Sequence, residues 1–533
     1  MTESIDVHKI FAAYFKGCEA LAYALSSKLS EGNICIDIKE YKAELPCILE
    51  ELKAKETFNE NDARFWVSQD DFDKQCEAGR FVTHSVTEVK PFVIHNAKAY
   101  LHRYFKYETD IIKNIKRTGS NFHIVTGGPG SGKTYSVSTK LVELLGKKPA
   151  LKIALAAPTG KAAARMNESI KKYAEDSKNN ISETIKSVLT GLKAQTIHML
   201  LVSRPNSVFF KYDETNRLPY DVVIIDECSM VDGAMMAKLM NAVDKETILY
   251  LIGDKDQLAS VEAGSVFGDI CRAHESSLLK GRIELKTDSH RFDPEKGIGK
   301  FSKQVIDGEI EDLKAYENDE QVTFDLSFSE ELFKEYALKY KDYILENDTT
   351  EALKKLNQVR FLCVTRENDH SVSEYNKKIQ YYLSRKIEGF KPKAEGFYQN
   401  QPVIITRNDY KLQIFNGDVG IIRERETESE KVLFANFETT EGKIKEIQAG
   451  YLNHYETVFA MTIHKSQGSE FDNVVVVLPE KQGEKLLTRE LLYTGVTRAM
   501  SKVLIQSTEE VILKCASKTV SRASGLEERL NNE

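Results

Sequence analysis

Residues 127–134 read GGPGSGKT, between the apolar run NFHIVT and the segment YSVSTKLVELLGKK, where Val137, Leu141, Leu144 and Leu145 recur at helical spacing. A buried strand that passes through a glycine loop into a helix leaves few folds open. It calls for a parallel α/β sheet with the loop at the C-terminal edge of its strands. The stretch fits G-x-x-x-x-G-K-[ST] through Gly127, Gly132, Lys133 and Thr134. In such a loop, Gly127, Gly128, Pro129, Gly130, Ser131 and Gly132 let backbone N–H groups close around phosphates, and the helix N-terminus adds partial positive charge. Lys133 is expected to reach the β- and γ-phosphates of ATP, and the Thr134 hydroxyl to ligate Mg2+.

The same alternation runs through residues 112–290, where HIVT, KIALAAP, DVVIIDE and TILYLIGD read as strands between helical runs. DVVIIDE ends in Asp226 and Glu227, so a buried parallel strand brings both acids to the ligand-binding edge. Asp226 suits the magnesium shell, and Glu227 suits orientation and deprotonation of an attacking water. LYLIGDKDQL ends in Asp254, Asp256 and Gln257, and a Gln beside a γ-phosphate can sense it and position water. Arg291 in DSHRF and Arg498 in LLYTGVTRAM are candidate charge clamps. Phosphoryl transfer needs positive charge from outside the loop, and if a second domain supplies it, hydrolysis depends on closure.

A length of 533 residues suggests about three to four domains. Residues 1–110 are mixed and 291–390 mainly helical by pattern. Residues 395–455 turn β-like around an Asn416–Gly417 turn signal, and 456–510 return to α/β with NVVVVLP and KVLIQS as strands. No run of 18 apolar residues exists, so no membrane span is expected. The N-terminus lacks a signal-peptide pattern, and the eight cysteines form no CxxC pair, which points to a cytoplasmic protein with reduced thiols. Cys18, Cys35, Cys47 and Cys76 are expected as buried free thiols.

The net charge of −7 is unevenly spread: residues 301–350 carry 14 Asp+Glu against 5 Lys+Arg, which leaves the rest of the chain slightly positive. A basic track for nucleic acid is compatible with that distribution. The acidic segment reads as a solvated helical face or a linker. APTGKAAARM offers Thr159, Lys161 and Arg165, while AQTIHMLL and MTIHKSQGSEF both present Thr-Ile-His. Thr159, Thr196 and Thr462 suit sequence-independent phosphate contacts, and His198 and His464 can stack on bases. A single histidine at such a place is more often structural.

In chain order, GGPGSGKT, APTGKAAARM, AQTIHMLL, VVIIDECSM, GDKDQL, SHRF, TIHKSQGSEF and LLYTGVTRAM resemble the motifs of superfamily 1 DNA helicases over about residues 112–505, with wording similar to the RecD-like branch. That resemblance implies an α/β fold: two RecA-like P-loop helicase domains, a small β-hairpin insert, an SH3-like β insert and an α-rich N-terminal domain. The implied boundaries are 1–110 for the N-terminal domain, 111–290 for the first RecA-like domain with its hairpin at 202–221, 291–394 and 456–533 for the second, and 395–455 for the insert. It implies 5′-to-3′ ATP-dependent movement on single-stranded and tailed double-stranded DNA. Lys133, Glu227, Gln257, Arg291 and Arg498 would be catalytic, Thr134 and Asp226 would hold the metal, and Glu470 would lie near the nucleotide sugar. Thr159, Thr196, His198, Thr462 and His464 would line the strand track.

The run PFVIHNAKAYLHRYFKYETDII is similar to the segment before the core in branch members that serve a recombination and double-strand-break repair helicase–nuclease. For this chain it implies RecB-like and RecC-like subunits in a heterotrimer, with residues 1–110 as the docking domain and exonuclease activity in a partner. Two alternatives stay open: a stand-alone RecD-like helicase, and a nucleotide-switched DNA-binding regulatory subunit. One departure from the pattern concerns the Gln that reads adenine upstream of the loop in such helicases. YETDIIKNIKRTGSN contains none, so strict selection for ATP is not implied.

Overall fold

The computed structural model describes residues 6–54, 62–204, 207–287, 289, 291–310, 312–409, 411–426, 431–439, 442–481, 483–520 and 522–533. Its centre is a six-stranded, wholly parallel sheet in the order Ile283–Lys286, Phe122–Gly127, Ile248–Gly253, Val222–Ile225, Ile153–Ala157, Ala194–Thr196. The four apolar runs read from sequence form its middle, and Ile283–Lys286 and Ala194–Thr196 add the edges. The VVII run shows why it is continuous rather than alternating. Val223 and Ile225 pack into a layer with Ile197 and Met236, while Val222 and Ile224 point the other way, onto Val137 and Leu141 of the helix that follows the glycine loop. A strand covered on both faces must be apolar at every position.

A second parallel sheet runs Val322–Asp325, Ala499–Gln506, Phe471–Val477, Val359–Cys363, Ala460–Thr462. Two of these strands fall within residues 291–390, the zone expected to be mainly helical. The acidic stretch 301–350 is neither a linker nor one helical face. It holds the helices Gly297–Asp307 and Glu330–Leu338 and the edge strand Val322–Asp325, all part of this second domain. Between the second domain's elements lies a five-stranded antiparallel sheet with its own core around Val403, Ile422 and Phe437. Gly417, at φ 94°, makes the expected turn before its strand Val419–Glu426.

The N-terminal residues fold as the helices Val7–Ala12, Glu19–Ser30, Ile38–Ala54 and Gln69–Cys76 over a small four-stranded sheet. Trp66 packs edge-on against Tyr23 in the core of that unit. Cys35 and Cys76 are buried and Cys18 is half-buried, but Cys47 is exposed, contrary to expectation. It lies on the helix Ile38–Ala54, with its Sγ toward Glu51 on the same exposed face. Where the hairpin is expected at 202–221, the described residues show an antiparallel bridge, Ser203 to Phe210, beside the Lys211 N–H donating to the Val202 carbonyl, with Val208 and Phe209 exposed; residues 205 and 206 lie outside the described residues.

The last helix, Leu526–Asn531, does not stay with the second sheet. Leu526 and Leu530 bury themselves in the core of the first. Among the described residues, no helix is long and apolar enough to cross a membrane.

Candidate nucleotide and nucleic-acid site

The glycine loop leaves the strand Phe122–Gly127 and enters the helix Lys133–Lys147 through Gly130 (φ 76°) and Gly132 (φ 74°), a conformation that favours glycine. Crowding is the second reason for glycine here. A Cβ on Gly127 would stand 2.4 Å from the Lys286 carbonyl oxygen, and one on Gly130 2.4 Å from the Arg291 Cβ. The Lys133 ammonium folds over the loop, donating to the carbonyls of Gly127 at 2.6 Å and Gly128 at 2.9 Å. The Ser131 hydroxyl is buried within the loop without a hydrogen-bond partner.

Asp226 follows the strand Val222–Ile225 and comes within reach of the loop. Burial, then Glu227, pushes its carboxyl up to about 6, against the pull of Lys133 and of a hydrogen bond from the Thr134 hydroxyl. This is the set a divalent cation needs beside a phosphate: one carboxylate and one hydroxyl on the loop's rim. Glu227 sits in a left-handed conformation, φ 54°, with its N–H donating to Asp226 Oδ1 at 2.8 Å. Such strain in a non-glycine residue costs on the order of 1–3 kcal/mol and persists where its neighbours hold it.

Asp254 is buried, which raises its carboxyl's pKa against the attraction of Lys133. It accepts from Gln257 Nε2 at 3.1 Å and from the Tyr493 hydroxyl at 2.9 Å. Gln257 is 7% exposed, and its Oε1 has no partner. The loop is pinned from the second domain: the Leu258 N–H donates to Thr494 Oγ1 at 2.9 Å, and Gln467 Nε2 donates to the Leu258 carbonyl at 2.8 Å.

Both expected arginines reach this edge. Ser289 Oγ donates to the Pro129 carbonyl at 3.1 Å and accepts from the Arg291 N–H, which seats Arg291 against the glycine loop. Arg291 Nη2 pairs with Glu470 Oε1 at 2.7 Å, and Arg165 Nη2 with Glu470 Oε2 at 2.8 Å. Burial works to raise the Glu470 carboxyl's pKa, but Arg165 and Arg291 outweigh it and hold the group below its ordinary value. Arg291 Nη1 is buried and unpaired. Arg498 is 3% exposed and donates to the Thr494 and Ser469 carbonyls; its charge is felt by Glu227, Glu470 and Asp254. So three buried polar atoms around the loop, Ser131 Oγ, Gln257 Oε1 and Arg291 Nη1, are left with open valence. Two donors and one acceptor of that kind fit a nucleoside triphosphate and an attacking water.

The proposed track residues share one local device. Thr159 follows a parallel strand by two residues, and Thr196 and Thr462 end parallel strands; each caps the turn or helix after it, accepting from the N–H of Ala162, Met199 and Lys465 respectively, each at 3.2 Å. A capping hydroxyl accepts through a lone pair and keeps its proton to donate, so the cap and a phosphate contact are compatible. Across the domain boundary, a Cβ on Gly468 would stand 4.0 Å from Thr159 Oγ1, so the first and third of these turns meet. His198 is exposed, with its ring 5.8 Å from that of Phe210. His464 is half-buried, and burial, then Arg522, holds its imidazole below the ordinary pKa.

Tyr493, Thr494 and Ser289 were missed in the sequence. The first two lie five and four residues before Arg498, on the helix Arg489–Val496, and helical spacing from that arginine was the available signal. Ser289 carried none.

Three family models match: an AAA domain over residues 111–263, the SH3 domain of ATP-dependent RecD-like DNA helicases over 375–437, and a UvrD-like helicase C-terminal domain over 457–505. The RecBCD enzyme subunit RecD of Mycolicibacterium smegmatis is 39% identical over 419 residues, covering 76% of this chain and 72% of that protein. The chain belongs to the RecD family. The Haemophilus influenzae RecD subunit is 35% identical, covering 76% of this chain and 70% of its own length. The ATP-dependent RecD2 DNA helicase of Deinococcus radiodurans is 29% identical, covering 72% and 46%. The RecD-like chain is thus a superfamily 1 DNA helicase with a DNA-dependent ATPase, built on two RecA-like sheets.

Proposed function

We propose that this RecD-like chain couples ATP hydrolysis to 5′-to-3′ movement on DNA as a subunit of a cytoplasmic helicase–nuclease, with RecB-like and RecC-like partners. The observation that carries the reading is the convergence of Arg291, Arg498 and Glu470 on the glycine loop, from a segment and a sheet outside the first domain. Lys133 binds the β- and γ-phosphates, and Gln257 and Glu227 orient and deprotonate the attacking water. Thr134 and Asp226 would hold Mg2+, which would neutralise charge on the phosphates. Arg291 and Arg498 stabilise the charge that develops in transfer, so hydrolysis proceeds only with the two sheets closed. Glu470 holds Arg165 and Arg291 together beside the nucleotide sugar. Closing and opening shift the turn at Thr462 and His464 against those at Thr159, Thr196 and His198, which moves the strand.

The 39% and 35% identity to the Mycolicibacterium smegmatis and Haemophilus influenzae RecD subunits, which the chain covers to 72% and 70%, against 29% and 46% for RecD2, favours the subunit reading over a stand-alone helicase. The test uses duplexes with a 5′ or a 3′ single-stranded tail, with and without partners. Unwinding from the 5′ tail is expected, and preferential unwinding from the 3′ tail by this subunit rejects the assignment. ATP hydrolysis unaffected by single-stranded DNA would instead favour the nucleotide-switched regulatory reading. Deleting residues 1–110 is expected to abolish assembly with a RecC-like chain, and normal co-purification of the truncated chain rejects docking there.

A further inference from the structure

Beyond the helix Glu509–Ser517 of the second domain the chain returns to the first as a strap, and nothing in the site described above uses it. Its anchors on the two domains lie within a few residues of each other. On the second domain, the Arg489 N–H donates to the Lys518 carbonyl at 2.7 Å and the Val520 N–H to Glu490 Oε2 at 2.9 Å, at the start of the helix Arg489–Val496. On the first, Arg522 Nη1 reaches the main-chain carbonyls of Ser260 at 2.6 Å, Glu262 at 3.0 Å and Gly264 at 2.9 Å, in the turn that follows the strand Ile248–Gly253. Ala523 is held by the N-terminal unit: its N–H donates to Asn33 Oδ1 at 2.8 Å, and its carbonyl accepts from the Ile34 N–H at 2.9 Å. The buried Glu108 carboxylate then accepts from Ser524 Oγ, the Gly525 N–H and Arg529 Nη1 at 2.9–3.2 Å. Val520 and Ala523 are three residues apart, a span of at most about 11 Å even when extended.

The passage from the first domain to the second, after the strand Ile283–Lys286, is equally short. Ser289 Oγ is pinned to the Pro129 carbonyl at 3.1 Å, and three residues later Phe292 is buried in the core of the second domain. Two such crossings limit how the domains can move. Each keeps a point of one domain beside a point of the other, so the domains cannot part as bodies without breaking these anchors. Rotation about the line that joins the crossings remains. The glycine loop lies between them, since its strand Phe122–Gly127 pairs with Ile283–Lys286 on one side and Ile248–Gly253 on the other. The turns at Thr159 and Thr196 lie two and three strands beyond Ile248–Gly253, about 10 and 14 Å away at ordinary strand spacing. They also stand off the line, because the second crossing is on the sheet face that carries Ile34 and Val266 rather than in the row of strand ends. In a rotation, displacement grows with distance from the axis.

We propose that the strap is one of two fulcrums of a hinge, so that nucleotide-driven closure is a rotation that moves the DNA turns several times farther than it moves the glycine loop. The inference rests on the ATP-driven movement proposed above. The strap contributes no reacting group. It acts by removing separation of the domains as an alternative to rotation, so that each closure displaces the turn at Thr462 against those at Thr159 and Thr196 by the same amount. Arg291, which belongs to the first crossing, stays at the loop throughout. A slack strap leaves every catalytic group in place and lets the domains close without a fixed displacement at the DNA.

The experiment reads two distances in the full chain, with Cys18 and Cys47 replaced by Ser and spin labels on introduced cysteines, before and after addition of a non-hydrolysable ATP analogue with Mg2+. One pair, at Glu183 and Glu367, spans the DNA edge: Glu183 is exposed on the helix before Ala194–Thr196, and Glu367 follows the strand whose Cys363 aligns with Thr462. The other, at the exposed Val261 and Lys514, spans the strap. The first distance is expected to change at least about threefold more than the second, as strand spacing from the fulcrum requires. Equal changes, a larger change across the strap, or no change at the DNA edge overturns the proposal. A second arm inserts six Gly and Ser residues after Val520, which slackens the strap by up to about 20 Å. ATP turnover at saturating oligo-dT should stay within about threefold of the parent, while base pairs separated per ATP on a 5′-tailed duplex fall about fivefold. The same six residues appended after Glu533 should leave both as in the parent. Parental unwinding per ATP in the folded insertion variant overturns the proposal, as does a matching loss in the appended one. Where the insertion variant is recovered unfolded, the two distances in the parent decide. A parent chain that binds no ATP analogue, or whose ATP hydrolysis ignores DNA, would instead reject the function proposed above.

Discussion

Gln257 and Gln506 occupy matching places, both buried beyond or at the end of a central strand, on the C-terminal edge of a parallel sheet. Their surroundings differ. Gln506 is satisfied at both ends, donating to Asp325 Oδ2 at 2.8 Å and accepting from the Tyr375 hydroxyl at 3.0 Å. Gln257 donates to Asp254 and leaves its carbonyl oxygen open. The two edges differ in what gathers there. The first carries a glycine loop, Asp226, Glu227 and the unmatched Ser131 Oγ, Gln257 Oε1 and Arg291 Nη1 side by side, whereas the second pairs Gln506 with Asp325, leaves Thr365 Oγ1 unmatched apart from them, and sends Tyr493, Arg498 and Glu470 across. Two sheets of one architecture thus divide the work, and the open polar groups clustered on the glycine loop, rather than a single open group, mark the reacting edge.

The largest test of that division is Lys133→Ala. It removes the charge that caps the loop, and ATP turnover is expected to fall at least about a hundredfold, or ~2.7 kcal/mol. Thermal unfolding should barely move, because the bonds it loses are to the carbonyls of the loop itself. Near-parental turnover in a folded variant would show that the loop is not the reacting edge. The paired substitutions Gln257→Ala and Gln506→Ala come next. The first should lower DNA-stimulated turnover by about thirtyfold with little change in melting temperature. The second should leave turnover within about twofold but cost ~1–3 kcal/mol of stability, since it leaves the buried Tyr375 hydroxyl without its acceptor and takes one donor from Asp325. If both variants show the same split between activity and stability, the comparison fails.

The difference between the sheets also governed what could be read before folding. The first sheet announces itself because its central strands are unbroken apolar runs ending in charged or glycine-rich turns. In the second, the strand Val359–Cys363 is interrupted by Arg360, which looks like a helical surface residue in sequence. In the fold it is wholly buried, donates to the Val458 and Leu356 carbonyls and lies over the Phe471 ring at 5.0 Å. Local pattern cannot reveal partners about a hundred residues away. Ala460–Thr462 and Ala194–Thr196 are three residues long, too short for a periodicity to register. The candidate site was legible where chemistry demands a fixed order of residue types: the loop, the paired acids, the glutamine. Tyr493 and Ser289 were not, because each acts through a main-chain atom or a carboxylate in another part of the chain.

Glu470→Gln examines the ionic link between the two sides. It keeps the volume and removes the charge that holds Arg165 and Arg291 together. The two guanidiniums then face each other unpaired, and Arg291 is expected to draw away from the loop. ATP turnover should fall about tenfold, near ~1.4 kcal/mol, and more steeply at low salt, where the repulsion is least screened. A turnover independent of the carboxylate's charge would show that Arg291 is placed by Ser289 alone.

The smallest effect belongs to Tyr493→Phe, the finest test of whether the second sheet tunes the first. The Tyr493 hydroxyl donates to Asp254 Oδ2 at 2.9 Å, the oxygen that also accepts from Gln257 Nε2. It also reaches the glycine loop, since a Cβ on Gly128 would lie 3.0 Å from it. Phenylalanine keeps the ring, which is buried in the second domain's core. Removing one donor from a buried, charged acceptor costs on the order of 1–2 kcal/mol, part of which Gln257 can make good by moving toward Asp254. That movement would take the open carbonyl oxygen away from the attacking water. Turnover is therefore expected to drop roughly three- to fivefold with the KM for ATP unchanged, the signature of an interaction made in the transition state. A KM rise at constant kcat would instead place the hydroxyl among the groups that bind ground-state nucleotide, and the second sheet would then contribute affinity rather than timing.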